Sequence, residues 1–244
     1  PPGRSVAAAS SVSADAHERT VHPVAGSQYD ALKAKQTQLI RKALDGSVFL
    51  ASIDAPTITD LTDAADKLLK PLPIGGSMPW GDLGWLSSDG AQYSRDVSSS
   101  DITSWGSVSP TRSDVTADSS TLTVVAQETN IRSIGLSTGA DMSAAVPNVT
   151  TGELKISKPS RPSSKFYRVL SLAVDQGDAG EIYLGRYMPR GKVTGFSEQA
   201  FGGGDDPVSW GVTFTGFEDA VLGYSERWYF GGPGWFALLD DMGF

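Results

Sequence analysis

Apolar residues between positions 28 and 45 recur every three to four residues, the spacing of one face of an α-helix. Ser27 can cap the N-terminal end of such a helix and Gly46 can end it. The sequence therefore predicts an amphipathic helix over residues 28–45. Its opposite face is basic, which fits either a docking surface for an acidic neighbour or an ordinary solvated face. The apolar positions are Tyr29, Leu32, Leu39, Ile40, Ala43 and Leu44.

Beyond residue 46 the apolar period changes to two, which is typical of β-strands. Gly- and Pro-containing turns at 177–180 and 189–191 suit hairpin connections. This punctuation predicts a mainly β fold, with a β-sandwich or barrel-like domain over residues 46–244 and one or two short helices. The predicted strands are 47–53, 101–108, 120–127, 152–157, 166–174, 181–188, 191–199 and 208–217, and a helical turn follows Glu128.

Residues 54–79 interrupt the strand pattern with a long loop. A small helical patch is predicted around Leu61, Leu68 and Leu69, and Pro71 ends it. Loops of this length inside a compact domain are uncommon and are usually functional, disordered or part of an interface. We expect one of these roles for the loop.

The first residues have a different character from the rest of the chain. Residues 1–26 contain no Leu, Ile, Met or aromatic residue, so they cannot bury enough apolar area to offset the entropy lost on ordering. The sequence therefore predicts an extended N-terminal arm over residues 1–27. We expect a neighbouring subunit to hold this arm, in preference to docking on its own domain.

Composition excludes several kinds of chemistry. The chain has no cysteine, so disulfides, thiolate metal sites and cysteine nucleophiles are absent. Its two histidines, His17 and His22, both lie in the arm, which leaves little for histidine-based catalysis. No apolar run approaches the roughly 18–20 residues that cross a bilayer. We expect no cofactor, no metal and no membrane span.

The formal net charge of −8 is unevenly distributed. Residues 1–80 carry eight basic and eight acidic side chains, so the whole excess of acid lies in residues 81–244. An acidic protein is poorly suited to grip nucleic acid, because that affinity comes from Lys and Arg at the phosphates. The charge fits either a surface that repels phosphates or ordinary solubility.

Two short motifs resemble functional sites. The segment Gly135–Gly139 matches G-x-S-x-G, the pattern of a hydrolase nucleophile at Ser137, but a histidine base would have to come from the arm. The segment Gly202–Asp206 ends in two adjacent carboxylates that lack the alternating spacing of a calcium loop. We interpret it as a flexible hairpin tip.

Five of the six tryptophans can be assigned to a core or an interface position from the sequence around them. Trp85, Trp105 and Trp210 lie in predicted strands or beside them, and we expect them in or near the core. Trp80 and Trp235 lie in Pro- and Gly-rich loops, where aromatic side chains anchor interfaces. A stacking platform for sugars or single-stranded nucleic acid is the competing use of exposed tryptophans.

Four motifs occur in an order that resembles a known family. They are G-S-V-F-L-A-S-I-D-A-P at 46–56, W-G-D-L-G-W-L-S-S-D-G at 80–90, D-I-T-S-W-G at 101–106 and T-L-T-V-V-A-Q-E-T-N at 121–130. Together they resemble the major tail tube proteins of long-tailed, siphovirus-type bacteriophages, especially those that infect actinobacteria. The resemblance covers roughly residues 46–140, and none of the four motifs is catalytic.

The resemblance implies a structural virion protein and not an enzyme. It implies subunits that form hexameric rings, which stack around a tape measure protein into a hollow tail tube and later conduct DNA into the host. The partners it implies are other copies of the chain, the tape measure protein, and the tail terminator and distal tail proteins. It places the protein in the phage tail, assembled in the host cytoplasm. A related tail terminator stays open as an identity.

The resemblance also suggests which residues serve assembly, because family members contact adjacent rings through N-terminal arms and a long loop. We expect DNA to pass the lumen without specific binding. The alternative function is a carbohydrate-binding or adhesin-type β-sandwich module. The expected subunit contacts are Tyr29, Leu32, Leu39, Leu68, Leu69, Trp80 and Trp235, and the expected lumen residues are Asp178, Glu181, Asp205 and Asp206.

Overall fold

A computed structural model describes residues 28–158, 160, 165–202, 204 and 207–244. The predicted arm over residues 1–27 therefore lies outside the described residues. The chain divides between Thr37 and Gln38, and the two parts are described separately. In the first part the helix α1 spans Tyr29–Leu32, and the Lys33 ammonium lies 4.5 Å from the centroid of the Tyr29 ring.

The second part is built on eight antiparallel strands, which confirms the mainly β prediction and is consistent with a β-sandwich-like fold. The order in the sheet is β2-β1-β5-β6-β7-β4-β3, and β8 pairs with β6. The strands are β1 Asp45–Ser52, β2 Gly81–Asp82, β3 Gln92–Ile102, β4 Arg112–Ala126, β5 Phe166–Gly177, β6 Gly180–Phe196, β7 Trp210–Gly216 and β8 Arg227–Gly231. The helices are α2 Ile131–Thr138, α3 Pro233–Phe236 and α4 Leu239–Met242, with 3-10 turns at Thr37–Leu39 and Met142–Ala144.

The alternation of side chains along the strands produces two apolar clusters on opposite faces of the sheet. Along β6, Met188 belongs to the first cluster and Tyr187 to the second. The first cluster contains Val48, Leu50, Leu83, Leu122, Val124, Ala126, Leu136, Val169, Met188, Val212 and Phe214. The second contains Ile58, Leu61, Leu170, Tyr183 and Tyr187. Two of these buried residues, Ile58 and Leu61, come from the long loop.

The predicted helix over residues 28–45 is wrong beyond its first turn. After the 3-10 turn, the backbone runs beside β5: the Leu44 amide donates to the Val174 carbonyl at 2.9 Å, and the Lys42 amide donates to the Asp175 carboxylate at 3.3 Å. A short helix gains its stability by burying an apolar face. Here Ile40 and Leu44 are 73% and 60% exposed, so no packing favours the helix over pairing with β5.

The helical patch predicted in residues 54–79 is also wrong. The carboxylates of Asp63 and Asp66 accept the amides of Ala65 and Leu68, at 2.8 and 2.9 Å, and so form tight local turns. Such side chain–backbone bonds compete with helical ones. Lys67 continues the turn with a left-handed φ of 66°.

Several strand predictions need correction. Residues 166–174, 120–127 and 208–217 lie largely in strands, as expected, and the turn at 177–180 joins β5 to β6. Residues 152–157 form no strand. The predicted strand 101–108 is wrong after Ile102, where a turn with Gly106 at φ 84° joins β3 to β4.

The turn predicted at 189–191 is wrong, because β6 continues through it as one strand of 17 residues. Strand β6 pairs with β8 through Tyr187 and with β7 from Gly191 onward. Pro189 has no amide hydrogen to donate to a ladder, so it fits the point where β6 exchanges one neighbour for the other.

Candidate assembly surfaces

The resemblance motifs at 80–90 and 121–130 meet in space and hold each other. The Asp82 carboxylate accepts the Gly84 amide at 3.1 Å, and the Glu128 carboxylate accepts the Trp85 amide at 2.9 Å. The Asn130 side-chain amide donates to the Leu83 carbonyl at 2.8 Å. These bonds fix a turn that leaves the Trp85 side chain 76% exposed.

Asn130 also starts the helix α2, which confirms the helical turn predicted after Glu128. Its side-chain oxygen accepts the amides of Arg132 and Ser133, at 2.9 and 3.0 Å, and the Ser133 hydroxyl accepts the Asn130 amide in return. This is a reciprocal cap of a helix N-terminus. The motif E-T-N therefore serves the fold: its first residue holds the Trp85 turn and its last caps α2.

The G-x-S-x-G motif lies within α2 and not at a strand-to-helix elbow. Gly135 lies against the Met142 side chain, and Gly139 ends the helix in the left-handed conformation at φ 65°. Ser137 is half-buried in the last turn of the helix. The close contact with Met142 thus explains Gly135, and the end of the helix explains Gly139.

Strands β3 and β4 extend as a two-stranded ribbon beyond the two apolar clusters. We call residues 94–118 the ribbon. Its side chains are exposed apart from a half-buried Asp114, whereas Leu122 and Val124 at the other end of β4 are buried. Cross-strand bonds brace the ribbon, such as the Arg95 guanidinium to the Asp118 carboxylate at 2.5 and 2.8 Å.

The end of the ribbon, residues 103–111, carries two fully exposed apolar side chains, Trp105 and Val108. An isolated two-stranded ribbon is marginally stable in water, and a fully exposed tryptophan offers a large apolar surface for a partner chain to cover. The ribbon is therefore the strongest candidate for a contact with another chain. The sequence-based predictions do not include the ribbon. The signal that points to it is the scarcity of apolar side chains from Ser94 to Asp118.

The tryptophan predictions are only partly correct. Trp210 packs against the first cluster, and its indole N–H donates to the Thr129 hydroxyl at 3.2 Å. The expectation of a core position is wrong for Trp85 and for Trp105, because the described residues leave the first side chain 76% exposed and the second fully exposed. Their positions make them surface residues available to a partner.

A concavity of about 630 Å³ lies at the base of the ribbon, and we call it the aromatic groove. Tyr93, at the start of the ribbon, forms part of its wall. Its exposed apolar residues are Leu44, Trp85, Trp228 and Phe230, at 60%, 76%, 53% and 52% exposure. This is a sheet face on which the described residues leave large apolar side chains open to solvent.

Arg186 fixes the centre of the aromatic groove. Its guanidinium carbon lies 4.1 Å from the centroid of the Tyr93 ring and 4.7 Å from that of Trp228. Its nitrogen lies 3.5 Å from the Glu226 carboxylate, whose side chain is 9% exposed. Cation–π contacts and the ion pair thus hold both rings in place.

A second concavity, of about 640 Å³, lies beside α2, and we call it the α2 groove. Leu50, Met78 and Leu136 line its floor. Asp54, Asp141 and Lys165 supply charged groups. Hydrogen bonds from the Ser52 hydroxyl and from the amide and hydroxyl of Ser77 lower the pKa of Asp54 to about 2.

The long loop predicted at 54–79 is closely packed on the sheet. Arg168 donates to the Ala55 carbonyl at 2.7 Å, and the Tyr229 hydroxyl donates to the Ile58 carbonyl at 2.8 Å. Ile58 and Leu61 are buried in the second cluster. Only outward side chains such as Ile74, at 94% exposure, are available for contact with other chains.

The expected contact residues differ in their exposure and in what they pack against. Tyr29 and Leu32 are exposed in the first part of the chain, and Leu68 is 45% exposed. Leu69 and Trp80 pack against the second cluster. The remaining two are Leu39, half-buried in its 3-10 turn, and Trp235, stacked on Phe230 with ring centroids 5.0 Å apart.

The expected lumen residues are only partly described. Asp178 is exposed at the tip of the β5–β6 hairpin. Glu181 follows it, also exposed, and accepts the Tyr183 hydroxyl at 2.5 Å. Asp205 and Asp206 lie outside the described residues. Two of the four acidic side chains therefore lie at one end of the sheet.

Within the described residues, no group of three or more His, Cys, Asp or Glu side chains is arranged to hold a metal ion. None of the helices in that part of the chain is both long and apolar enough to cross a membrane.

The chain was compared with models of known protein families. A family model described as phage tail tube protein matches residues 33–228, well over half of the chain. The matched region includes the ribbon, the aromatic groove from its Ala43 end to Trp228, and the motifs at 80–90 and 121–130. No curated protein matches the chain.

Proposed function

Because this chain belongs to the phage tail tube protein family, we propose that it is the major tail tube subunit and that it stacks as hexameric rings into a hollow tube. Family membership makes it a structural protein of the phage tail. The ring of six, the stacking and the conduction of DNA are the proposed steps beyond that. The ribbon is the single observation that carries the stacking step.

The ribbon supports stacking because it is poorly explained in an isolated subunit. It extends beyond both apolar clusters, and its tip exposes Trp105 and Val108 to solvent. Burial of such side chains against another subunit is the main source of free energy in protein association. A projecting element that meets a different surface on the next copy generates rings or filaments.

We propose that the tube encloses the tape measure protein during assembly and later conducts DNA. The acidic excess of residues 81–244 supports a lumen that repels phosphates, and Asp178, Glu181, Asp205 and Asp206 are the residues proposed to face it. Assembly in the host cytoplasm, with contacts to tail terminator and distal tail proteins at the tube ends, completes the proposal.

Exposed tryptophans in the aromatic groove favour one alternative, a carbohydrate-binding module. Trp85 and Trp228 could stack on sugar rings as they could on a protein partner. A stable monomer would favour this alternative, whereas a tube subunit assembles. Binding on a glycan array that is lost with Trp228→Ala, in a protein that stays monomeric, would support the alternative.

The test compares the whole chain with a variant that lacks the outer ribbon. Asp96 and Ser119 are cross-strand partners, so residues 97–118 can be replaced by an Asn-Gly turn that continues the same hairpin. The whole chain should form hollow six-fold rings or tubes by negative-stain microscopy. The shortened variant should keep its circular dichroism and stay monomeric. Tubes of normal appearance from the shortened variant would refute the role of the ribbon.

A further inference from the structure

We propose that the ribbon tip of one copy inserts the Trp105 side chain into the aromatic groove of the next copy. The inference rests on the proposed function and identifies the two surfaces that meet when copies stack. The tip is an apolar projection and the groove is an apolar concavity, and both are open in the described structure. Four observations support the pairing.

The first observation is that hydrogen bonds order the ribbon tip. The Thr111 amide donates to the Ile102 carbonyl at 2.8 Å, and the Ser107 amide donates to the Ser104 carbonyl at 3.1 Å. The hydroxyls of Ser104 and Thr111 lie 2.8 Å apart. A tip that already has its shape loses little conformational entropy on binding. Trp105 is thus presented as an anchor of the kind that dominates interface energetics.

The second observation is the chemical match between the tip and the groove. Residues 103–111 carry no charged side chain, so insertion of the tip does not bury an unpaired charge. The groove offers the rings of Trp85, Trp228 and Phe230 to the indole. An indole also has one N–H donor, and the exposed carboxylates of Asp45 and Asp89 in the groove wall can accept it.

The third observation is distance along the ribbon, which rules out insertion into the groove of the same copy. Tyr93 lies in the groove wall, and nine strand positions separate it from Ile102 next to the tip. At roughly 3.3 Å per residue the tip lies about 30 Å from its own groove. The ladder from Tyr93–Leu122 to Ile102–Arg112 continues through one bulge, so the ribbon does not fold back.

The fourth observation is that the inserting surface and the receiving surface are different and lie at opposite ends of one continuous ribbon. A contact of this kind is heterologous, and it leaves a free tip and a free groove at the ends of any open assembly. Copies joined in this way repeat along the ribbon at about its own length, roughly 30 Å. An assembly that stays open in this way stacks copies one after another.

Disulfide trapping tests the contact directly, because the natural chain has no cysteine. One protein carries Ser107→Cys at the tip and a second carries Ser88→Cys at the groove; both positions are exposed. Mixed, assembled and oxidised, the two should give a 107–88 cross-linked dimer on a non-reducing gel. The bond forms only when the two Cα atoms approach within about 7 Å.

The matched control replaces the groove partner with Ser143→Cys, an exposed position in the α2 groove. We expect no 107–143 dimer. Tubes that form while the 107–88 pair stays unlinked, or that link at 107–143, overturn the inference and leave the proposed function intact. If the whole chain forms neither rings nor tubes, the proposed function and the inference both fail.

Substitution of Trp105 tests the proposed contact independently of the disulfide experiment, through the critical concentration for assembly. Trp105→Ala should raise the critical concentration for assembly at least about 30-fold, the range of an interface hot spot. Trp105→Phe should raise it less, because a ring still fills the groove. Val149→Ala removes an equally exposed apolar side chain outside both surfaces and should leave it unchanged. An equal effect of Trp105→Ala and Val149→Ala would contradict the inference.

Discussion

The backbone amide of Trp85 donates a 2.9 Å hydrogen bond to the side-chain carboxylate of Glu128, 43 residues away in the sequence. This bond joins the turn after β2 to the segment between β4 and α2. The Gln127 amide donates back to the Trp85 carbonyl at 2.8 Å, so the two segments are held at two points. The exposed indole of Trp85 in the aromatic groove depends on this connection.

Gly84→Ala should therefore destabilise the fold more than a comparable glycine substitution. Gly84 has φ 90°, and a Cβ there would overlap the Glu128 carboxylate, which can move away only by releasing the Trp85 amide. We expect a loss of about 2–3 kcal/mol, the sum of a left-handed alanine and a lost hydrogen bond. The free energy of unfolding obtained from urea denaturation measures this loss.

Gly90→Ala is the matched control for that experiment. Gly90 also has a left-handed φ, of 63°, but its added Cβ would meet no atom within 4 Å. Only the backbone cost of roughly 1 kcal/mol should appear. Equal losses for the two variants would show that the Glu128 contact contributes nothing.

Arg168→Ala should loosen the long loop from the sheet. Arg168 donates to the Ala55 carbonyl at 2.7 Å, lies 3.8 Å from the Asp219 carboxylate, and its side chain is 12% exposed. Its removal leaves Asp219 buried without its cation, which typically costs about 3–5 kcal/mol. We expect lower thermal stability and faster proteolysis within residues 54–79.

The control for Arg168 is Arg95→Ala in the ribbon. Arg95 pairs with Asp118 at 2.5 Å, but their side chains are 63% and 42% exposed. An ion pair in solvent contributes only about 0–1 kcal/mol. A small effect of Arg168→Ala, similar to that of Arg95→Ala, would mean that Arg168 contributes little to holding the loop on the sheet.

Asp54 should make stability depend on pH in the acid range. Hydrogen bonds from Ser52 and Ser77 lower its pKa from 3.8 to about 2 in the folded protein. A lowered pKa stabilises the folded state above the unfolded pKa, and this stabilisation is lost as the pH falls from 3.8 through 2. Carboxyl NMR titration should give a midpoint near 2, and Asp54→Asn should flatten the change in melting temperature over this window.

Ser77→Ala provides the control for the Asp54 titration. It removes the hydroxyl that donates to the Asp54 carboxylate at 2.9 Å and keeps the amide that donates at 2.7 Å. The pKa of Asp54 should rise part of the way back towards 3.8. A midpoint near 3.8 in the unsubstituted protein would show that these hydrogen bonds do not form in solution.

Neutralising the proposed lumen residues should slow DNA passage through assembled tails. A lumen without these charges repels phosphates less, so DNA adheres more to the wall. Ejection kinetics from phage with substituted tails measure the effect. The substitutions are Asp178→Asn, Glu181→Gln, Asp205→Asn and Asp206→Asn.

A charge-matched control neutralises four exposed acidic residues elsewhere. Their removal changes the net charge equally, so it separates the position of the charges from their number. The control substitutions are Glu153→Gln, Glu218→Gln, Asp240→Asn and Asp241→Asn. Equal slowing in both sets would mean that net charge, and not a lumen lined by Asp178 and its neighbours, is responsible.

Sequence periodicity predicts the structure correctly where neighbouring strands of the sheet pack beside the apolar positions. Leu122 and Val124 alternate with threonines in the predicted strand 120–127 and are buried, and the helical turn predicted after Glu128 is α2, which Asn130 caps. Periodicity gives a wrong prediction, a long helix, at residues 28–45. There a helical pattern of apolar residues had no surface to cover, and the chain near Leu44 pairs with β5 instead.

By itself the sequence determined the mainly β fold, the family and the lack of cysteine chemistry, because alternation, ordered motifs and composition are properties of the chain alone. Only the tertiary structure decided the positions of Trp85 and Trp105. A tryptophan in or beside a strand is buried or exposed according to what covers that part of the sheet. The first cluster ends near Tyr93 and the ribbon continues beyond it, so none of the described residues covers its tip.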